Sequence, residues 1–429
     1  MYGAGVAAPR PEFNEVVSPG AHIMKLAFLM ATYLGRIGGA EIHARRLVEE
    51  WARRGHTVEV FAVQAGAGTS ARGESNNVRV IPLARDPDRE ENIRRRWQLW
   101  SRRGIRQAVQ LIPAAGTKGL WTRGGYCPDL DQPDLFRGYD ALIHFHSAAS
   151  CWLYQVGRLL PRLGGLPTVG VPLFHVREMG GTMPMQRYWH RGYRAIMTNT
   201  PFETAALRAA RWRNPLIDAV GVGSDVWTGS VDPAGFRQRC GIPPEAPLVL
   251  FIGRKIFNKG AAHMVQAMDR VWARFPEARL VLLGYSHNPP EWLAGYVRQG
   301  RAGAADRVID LDDVDDQTRE DALAACTVFA MPSISDSFGI AYLDAWRYGK
   351  PVIGCRDTCA ESVIQDQVDG RLVEFGNLDQ LAGAITDLLD DPVRAQALGN
   401  RGRLKGSDRY TWSAVSDRAE AFLQRIRAA

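Results

Sequence analysis

The sequence predicts an α/β protein built from two doubly wound units. Short, almost wholly apolar runs recur along the chain, as expected of parallel strands covered on both faces. Helical apolar spacing follows several of them, the alternation that feeds a parallel sheet. A glycine-rich stretch, Pro215–Pro244, separates two regions that each read as a sheet. A chain of 429 residues also exceeds one ordinary core, so two domains are expected.

Residues 1–23 are rich in Gly, Ala and Pro and lack the apolar segment of a secretory signal, so they are expected to form a disordered extension. Lys25–Ala31 is the first strand, and Thr32–Gly39 the loop after it. Ala44, Leu47, Val48 and Trp51 then fall at i, i+3, i+4 and i+7, which predicts a helix over Ala40–Arg54. Gly55 ends it and Thr57–Val63 returns as a strand. Ala141–Phe145, Thr168–Leu173 and Ala195–Thr198 read as further strands. Gly221, Gly223, Gly229, Gly235 and Gly241 mark Pro215–Pro244 as the hinge region.

The second unit opens with the apolar strand Leu248–Gly253. A helix is predicted over Gly260–Phe275, with Met264, Val265, Met268, Val271 and Trp272 on one stripe. Strands are predicted at Arg279–Gly284, Val308–Leu311, Thr327–Met331 and Val352–Cys355. The last helix, Ala414–Ile426, carries Val415, Ala419, Phe422 and Ile426 on one face.

With 46% hydrophobic and 23% charged residues, the composition is that of a soluble globular protein. No run of about eighteen apolar residues predicts a transmembrane helix. The six cysteines show neither CxxC pairs nor histidines at ligand spacing, which favours reduced cytoplasmic thiols over disulfides or a zinc site. The net charge of +7 permits anionic ligands without choosing among lipid, nucleic acid and nucleotide. The motifs choose a nucleotide, not a nucleic acid.

Ser333–Gly349 is the most informative segment. It leads from a strand through a glycine-containing loop into a helix closed by Gly349, with Pro351 beyond. The helix start, Ser337-Phe338-Gly339-Ile340, offers backbone N–H groups at the positive end of a helix dipole, which suits a phosphate. Asp336 and Asp344 lie about two turns apart, and ~1.5 Å of rise per residue separates them by roughly 10–12 Å. Glycosidase acid pairs are closer, roughly 5–9.5 Å. Two acceptors at this spacing suit the two hydroxyl-bearing ends of one long ligand.

Gly253-Arg254-Lys255-Ile256-Phe257-Asn258-Lys259-Gly260 ends a strand in glycine and arginine and places a lysine at a helix entry. That arrangement aims cations at the crevice beyond the strands' carboxyl ends. Gly38-Gly39-Ala40-Glu41 lets a backbone approach a ligand closely, and no GxGxxG is present for a dinucleotide. His144-Phe145-His146 ends a strand and puts both histidines on one face. No third ligand for a metal is identifiable there.

Together these segments resemble the E-x7-E signature and diphosphate-binding pairs of retaining GT-B glycosyltransferases of family 4, over roughly residues 24–425. Both glutamates are aspartates in this chain. Asp140 stands one residue further from His144 than the family's Asp-x-x-His-x-His has it. Glu361–Ile364, Val368–Val373 and Gly376–Asp379 extend the likeness. The resemblance implies two Rossmann-like domains facing a cleft: 24–225 on the acceptor side, 243–409 binding the nucleotide sugar, and a C-terminal helix, 410–429, crossing back to the first.

The resemblance also implies roles. Arg254, Lys259, Gly39 and Ser337–Ile340 would hold the diphosphate, and Asp344 the ribose. Asp336 and His146 would sit at the transferred sugar, with His144 and His175 on the acceptor side. No metal or other cofactor is expected, and the leaving phosphate takes the acceptor proton.

The expected activity is transfer of a sugar from a nucleotide-diphospho-sugar to a small-molecule, glycan or lipid-linked acceptor, in the cytoplasm. A GT-B sugar-nucleotide epimerase and a catalytically silent nucleotide-sugar-binding protein are the alternatives. Arg94, Arg95, Arg96, Arg102, Arg103 and Arg106 flank Trp97 and Trp100. Helical spacing makes the tryptophans core-facing; a sharper reading places the arginines against the inner face of an anionic membrane. Arg85–Asp134 reads as an insertion that shapes the acceptor side, and Tyr285–Pro290 and Asp312–Asp316 as borders of a nucleobase pocket.

Overall fold

The structure is a computed structural model and describes residues 22–31, 39–63, 78–92, 126–146, 151–179, 187–188, 190–285 and 306–428. Arg94–Arg106, the loop 32–38 and residues 286–290 lie outside the described residues. The chain forms two compact units: one runs to Gly223 and takes in the C-terminal helix from Trp412, and the other is 224–411.

The first unit holds seven parallel strands in the order β3-β2-β1-β4-β5-β6-β7. They are β1 Lys25–Met30, β2 Thr57–Val63, β3 Val78–Leu83, β4 Ala141–Phe145, β5 Thr168–Val171, β6 Ala195–Thr198 and β7 Leu216–Ala219. Strand alternation divides the core between two faces. Leu26, Phe28 and Met30 pack with Leu47, Val48 and Trp51 of α1 (Gly39–Arg53), while Ala27 and Leu29 pack on the other face with Val156, Leu159 and Leu207. Burial on both faces explains why β1 and β4 read as continuous apolar runs.

Two strands differ from expectation for stated reasons. β3 was not predicted, and it contains Pro82, which an edge strand tolerates because the donor that proline lacks is not needed on the unpaired side. β7 lies inside the predicted hinge, where glycine density conceals a four-residue edge strand. The same stretch holds the helix Pro233–Arg239, capped by Asp232, whose Oδ1 accepts from Gly235 N–H at 2.8 Å. The C-terminal helix runs Trp412–Ala428 and adds Val415, Ala419, Phe422 and Ile426 to the face that α1 covers. Arg54 ties the two helices, its Nη1 lying 2.6 Å from Asp417 and 3.1 Å from Glu420.

His43 is buried in this face, edge-on to Phe145 and beside Trp412. Neither ring nitrogen has a hydrogen-bond partner among the described residues. Burial drives its pKa from 6.5 to about 3. Below pH 6.5 the unfolded chain therefore binds a proton that the fold refuses, and stability falls as pH falls toward 3, by about 3 kcal/mol at pH 4. His43→Leu should flatten the thermal midpoint against pH between 6.5 and 4. An unchanged slope would place the acid sensitivity elsewhere.

The second unit holds six parallel strands in the order β10-β9-β8-β11-β12-β13. They are β8 Leu248–Ile252, β9 Arg279–Leu283, β10 Val308–Leu311, β11 Val328–Ala330, β12 Val352–Cys355 and β13 Arg371–Val373. Helices Ala261–Arg274 and Leu378–Asp390 pack on each other. The first sheet reverses its strand order at β1/β4 and the second at β8/β11. Open α/β sheets bind ligands beyond the carboxyl ends of strands at such reversals.

Candidate active site

At the β8/β11 reversal the two sequence motifs lock together. After β8 the chain is pinned by Lys255, whose fully buried ammonium reaches Asp310, Asp312 Oδ1 (2.6 Å) and the Leu311 carbonyl (3.0 Å). Lys255 is thus a structural anchor at the end of β10. Arg254, beside it, is exposed and forms no ion pair among the described residues. The turn Phe257–Lys259 follows, and Gly260, at φ 81°, starts the next helix.

The Asn258 carbonyl accepts from Ile334 N–H (2.9 Å) and from the Ser333 hydroxyl (3.2 Å). Lys259, buried, donates to the Ser335 carbonyl at 2.9 Å and forms an ion pair with Asp336. Residues expected to touch different parts of one ligand therefore touch each other. The second oxygen of Asp336 has no hydrogen-bond partner among the described residues.

The helix Ile340–Arg347 starts from Gly339 in the left-handed conformation (φ 92°), with no side-chain cap on its first N–H groups. Those donors are the unsatisfied ones that an anion can take. Phe338 is buried edge-on to Tyr410. Tyr342, fully buried, donates to the Met331 carbonyl at 2.7 Å and fixes the helix beneath β11.

Asp344 lies on the second turn and is largely buried. Its Oδ1 accepts from the Ser224 hydroxyl at 3.3 Å, Arg347 Nη2 stands 3.5 Å from it, and Arg319 Nη1 stands 3.8 Å from Oδ2. Burial raises its pKa, opposed by the charges of Arg319 and Arg347.

In the first unit, β4 delivers its two histidines to one face, ring centroids 4.6 Å apart. His144 is fully buried, with Nδ1 2.5 Å from the Tyr193 hydroxyl; burial holds its pKa well below 6.5, so it is neutral. Its Nδ1 and the Tyr193 hydroxyl share one hydrogen bond. His146 Nε2 lies 3.1 Å from Nε2 of His190, whose ring is tilted by 42° against Trp212. Sequence reading missed His190 and Tyr193, because no periodic pattern marks the residues before β6.

His175 follows β5, half-buried, next to Phe174, whose N–H donates to Glu203 Oε1 at 3.0 Å. Glu203 is fully buried and also accepts from Asn199 N–H at 2.8 Å; burial lifts its pKa to about 7 against those backbone donors. Gly39 is exposed at the start of α1. Among the described residues no group of three or more His, Cys, Asp or Glu is placed to hold a metal ion. No helix among them is long and apolar enough to cross a membrane.

Residues 235–405 match the family described as Glycosyl transferases group 1. A GDP-mannose-dependent monoacylated alpha-(1-6)-phosphatidylinositol monomannoside mannosyltransferase of Corynebacterium glutamicum is 28% identical over 200 residues, 45% of this chain and about half (51%) of that protein. A D-inositol 3-phosphate glycosyltransferase of Stackebrandtia nassauensis is 25% identical over 96% of this chain and 94% of its own length. Anabaena HepE, solved in complex with UDP-glucose, superposes with a TM-score of 0.69 at 18% identity, over 95% of this chain and 100% of that one.

Proposed function

We propose, for a chain that belongs to the GT-B glycosyltransferases of the family 4 type, that it moves a sugar from a nucleotide-diphospho-sugar to an acceptor with retained anomeric configuration. The observation that carries this reading is the interlock of 253–260 with 332–340 at the β8/β11 reversal. Arg254, exposed after β8, and the N–H groups after Gly339, which have no side-chain cap, are available to an anion, and Lys259 brings a second cation beside Asp336. Charge developing on the leaving diphosphate is neutralised by these fixed groups, without a bound metal. Asp344 holds the ribose hydroxyls, and Asp336 the transferred sugar. His146 stands with Asp336 at the transferred sugar, and His144 and His175 serve the acceptor side.

A relative named for GDP-mannose and a similar fold solved with UDP-glucose support a GDP- or UDP-linked donor. Relatives named for phosphatidylinositol mannoside and inositol phosphate support a polyol or lipid-linked acceptor. Incubation with GDP-mannose and UDP-glucose tests the class. Release of nucleoside diphosphate supports transfer, a new isomeric sugar nucleotide supports epimerisation, and binding without turnover supports a silent binder. Arg254→Ala should weaken GDP or UDP binding about tenfold in calorimetry, the loss of one charge-assisted contact. Unchanged affinity would remove Arg254 from the diphosphate site.

A further inference from the structure

Glu320 lies in the helix Asp316–Ala325 and is fully buried, an environment that a carboxylate accepts only when paired. Its pairing is dense. Arg347 Nη2 donates to both its oxygens, at 3.0 and 2.7 Å, the Tyr348 hydroxyl donates at 2.8 Å, and Arg319 Nη2 donates at 3.0 Å. The other end of Arg347, Nη1, donates to the Asp225 carbonyl. Arg347 thus gives its two Nη groups to Glu320 and the Asp225 carbonyl, and Arg319 gives one Nη to Glu320, while both guanidinium groups remain 3.5–3.8 Å from the Asp344 carboxylate.

That distance has a consequence. At 3.5–3.8 Å a guanidinium still favours the ionised acid through space, but it is too far to occupy a carboxylate lone pair with a good hydrogen bond. Asp344 has one short-range donor among the described residues, the Ser224 hydroxyl at 3.3 Å. A carboxylate has about four acceptor positions, so most of those on Asp344 are left for a ligand.

We infer that Glu320 is a positioning residue for ribose recognition: it holds Arg347 and Arg319 back from Asp344, which keeps its acceptor oxygens for a ligand's vicinal hydroxyls. The inference rests on the reading that Asp344 grips the ribose, and adds what keeps that grip open. Without the negative charge of Glu320, Arg347 turns its guanidinium onto Asp344 and fills the acceptors.

The test compares GDP and UDP with their 2′,3′-dideoxy counterparts by calorimetry. Glu320→Gln should weaken the ribose forms about tenfold, as for a lost hydrogen bond to a charged group, and leave the dideoxy forms unchanged. A purely structural role would weaken both forms equally; that result, or no change in either, overturns the inference. Glu320→Gln/Arg347→Met, which removes with the Glu320 charge the guanidinium that would turn onto Asp344, should bind the ribose forms as the parent does, and a loss as large as in Glu320→Gln overturns the inference. The double variant carries the test should Glu320→Gln not fold. Asp344→Asn separates the two layers. If it binds all four ligands as the parent does, the ribose reading has failed. If it alone loses the ribose forms, only the role of Glu320 has failed.

Discussion

Lys259→Met is expected to lower sugar-transfer turnover by about a thousandfold, the scale of losing one preorganised charge at a site of developing negative charge. It is also expected to destabilise the fold, by about 1–3 kcal/mol, because it leaves the half-buried Asp336 without its partner. One substitution therefore mixes chemistry with folding, and a second separates them. Asp336 loses its charge in Lys259→Met/Asp336→Asn, so the double variant should recover most of the stability lost by the single one. Its turnover should stay at the depressed level. Recovery of turnover along with stability would mean that the lysine serves Asp336 alone and never a ligand.

The interlock behind that prediction was half legible in the sequence. Each motif could be found because its signal is local: a strand ending in glycine and arginine, and a loop opening a helix with acids at fixed spacing. The direct pairing of Lys259 with Asp336 was not legible, since 76 residues separate Lys259 from Ser335, and only the β8/β11 adjacency brings them together. Glu320 was invisible for another reason. A glutamate in Asp316–Ala325 reads as a solvated helix face, and nothing local shows that Arg347 and Tyr348 arrive from another helix to bury it. Lys255 carried no reading of its own, because its partner Asp312 lies 57 residues further along the chain.

The strands were legible wherever both faces are buried, as in β1, β4 and β8, because the parallel sheet then demands unbroken apolar runs. Edge strands failed that test: β3 carries Pro82 and an exposed Arg79, and β7 a half-buried Asp218. The histidine pair was legible as a strand alternation. Its partners His190 and Tyr193 were not, because they precede β6 in a stretch where helical and strand periods are both absent.

Gly260→Ala should cost about 4 kcal/mol of stability, and the cost has two separable parts. Gly260 has φ 81°, a left-handed conformation that strains any side chain. It also faces Pro332 so closely that a Cβ would stand 2.4 Å from the proline's carbonyl oxygen and 2.8 Å from its Cγ. Backbone must move to admit it, and the backbone concerned joins the two motifs. Gly241 supplies the control. It has φ 63° and open space, with nothing within 4 Å of where a Cβ would stand, so Gly241→Ala carries the conformational strain alone, about 1 kcal/mol. Chemical denaturation of the two variants should show the larger loss at position 260. Calorimetry with GDP or UDP should show weakened binding for Gly260→Ala even where it is fully folded, because Asn258 and Lys259 shift away from Ile334 and Ser335. Gly241→Ala should bind as the parent does. Equal stability losses would mean that the approach to Pro332 contributes nothing. Equal affinities would mean that the interlock of the two loops does not shape the ligand site.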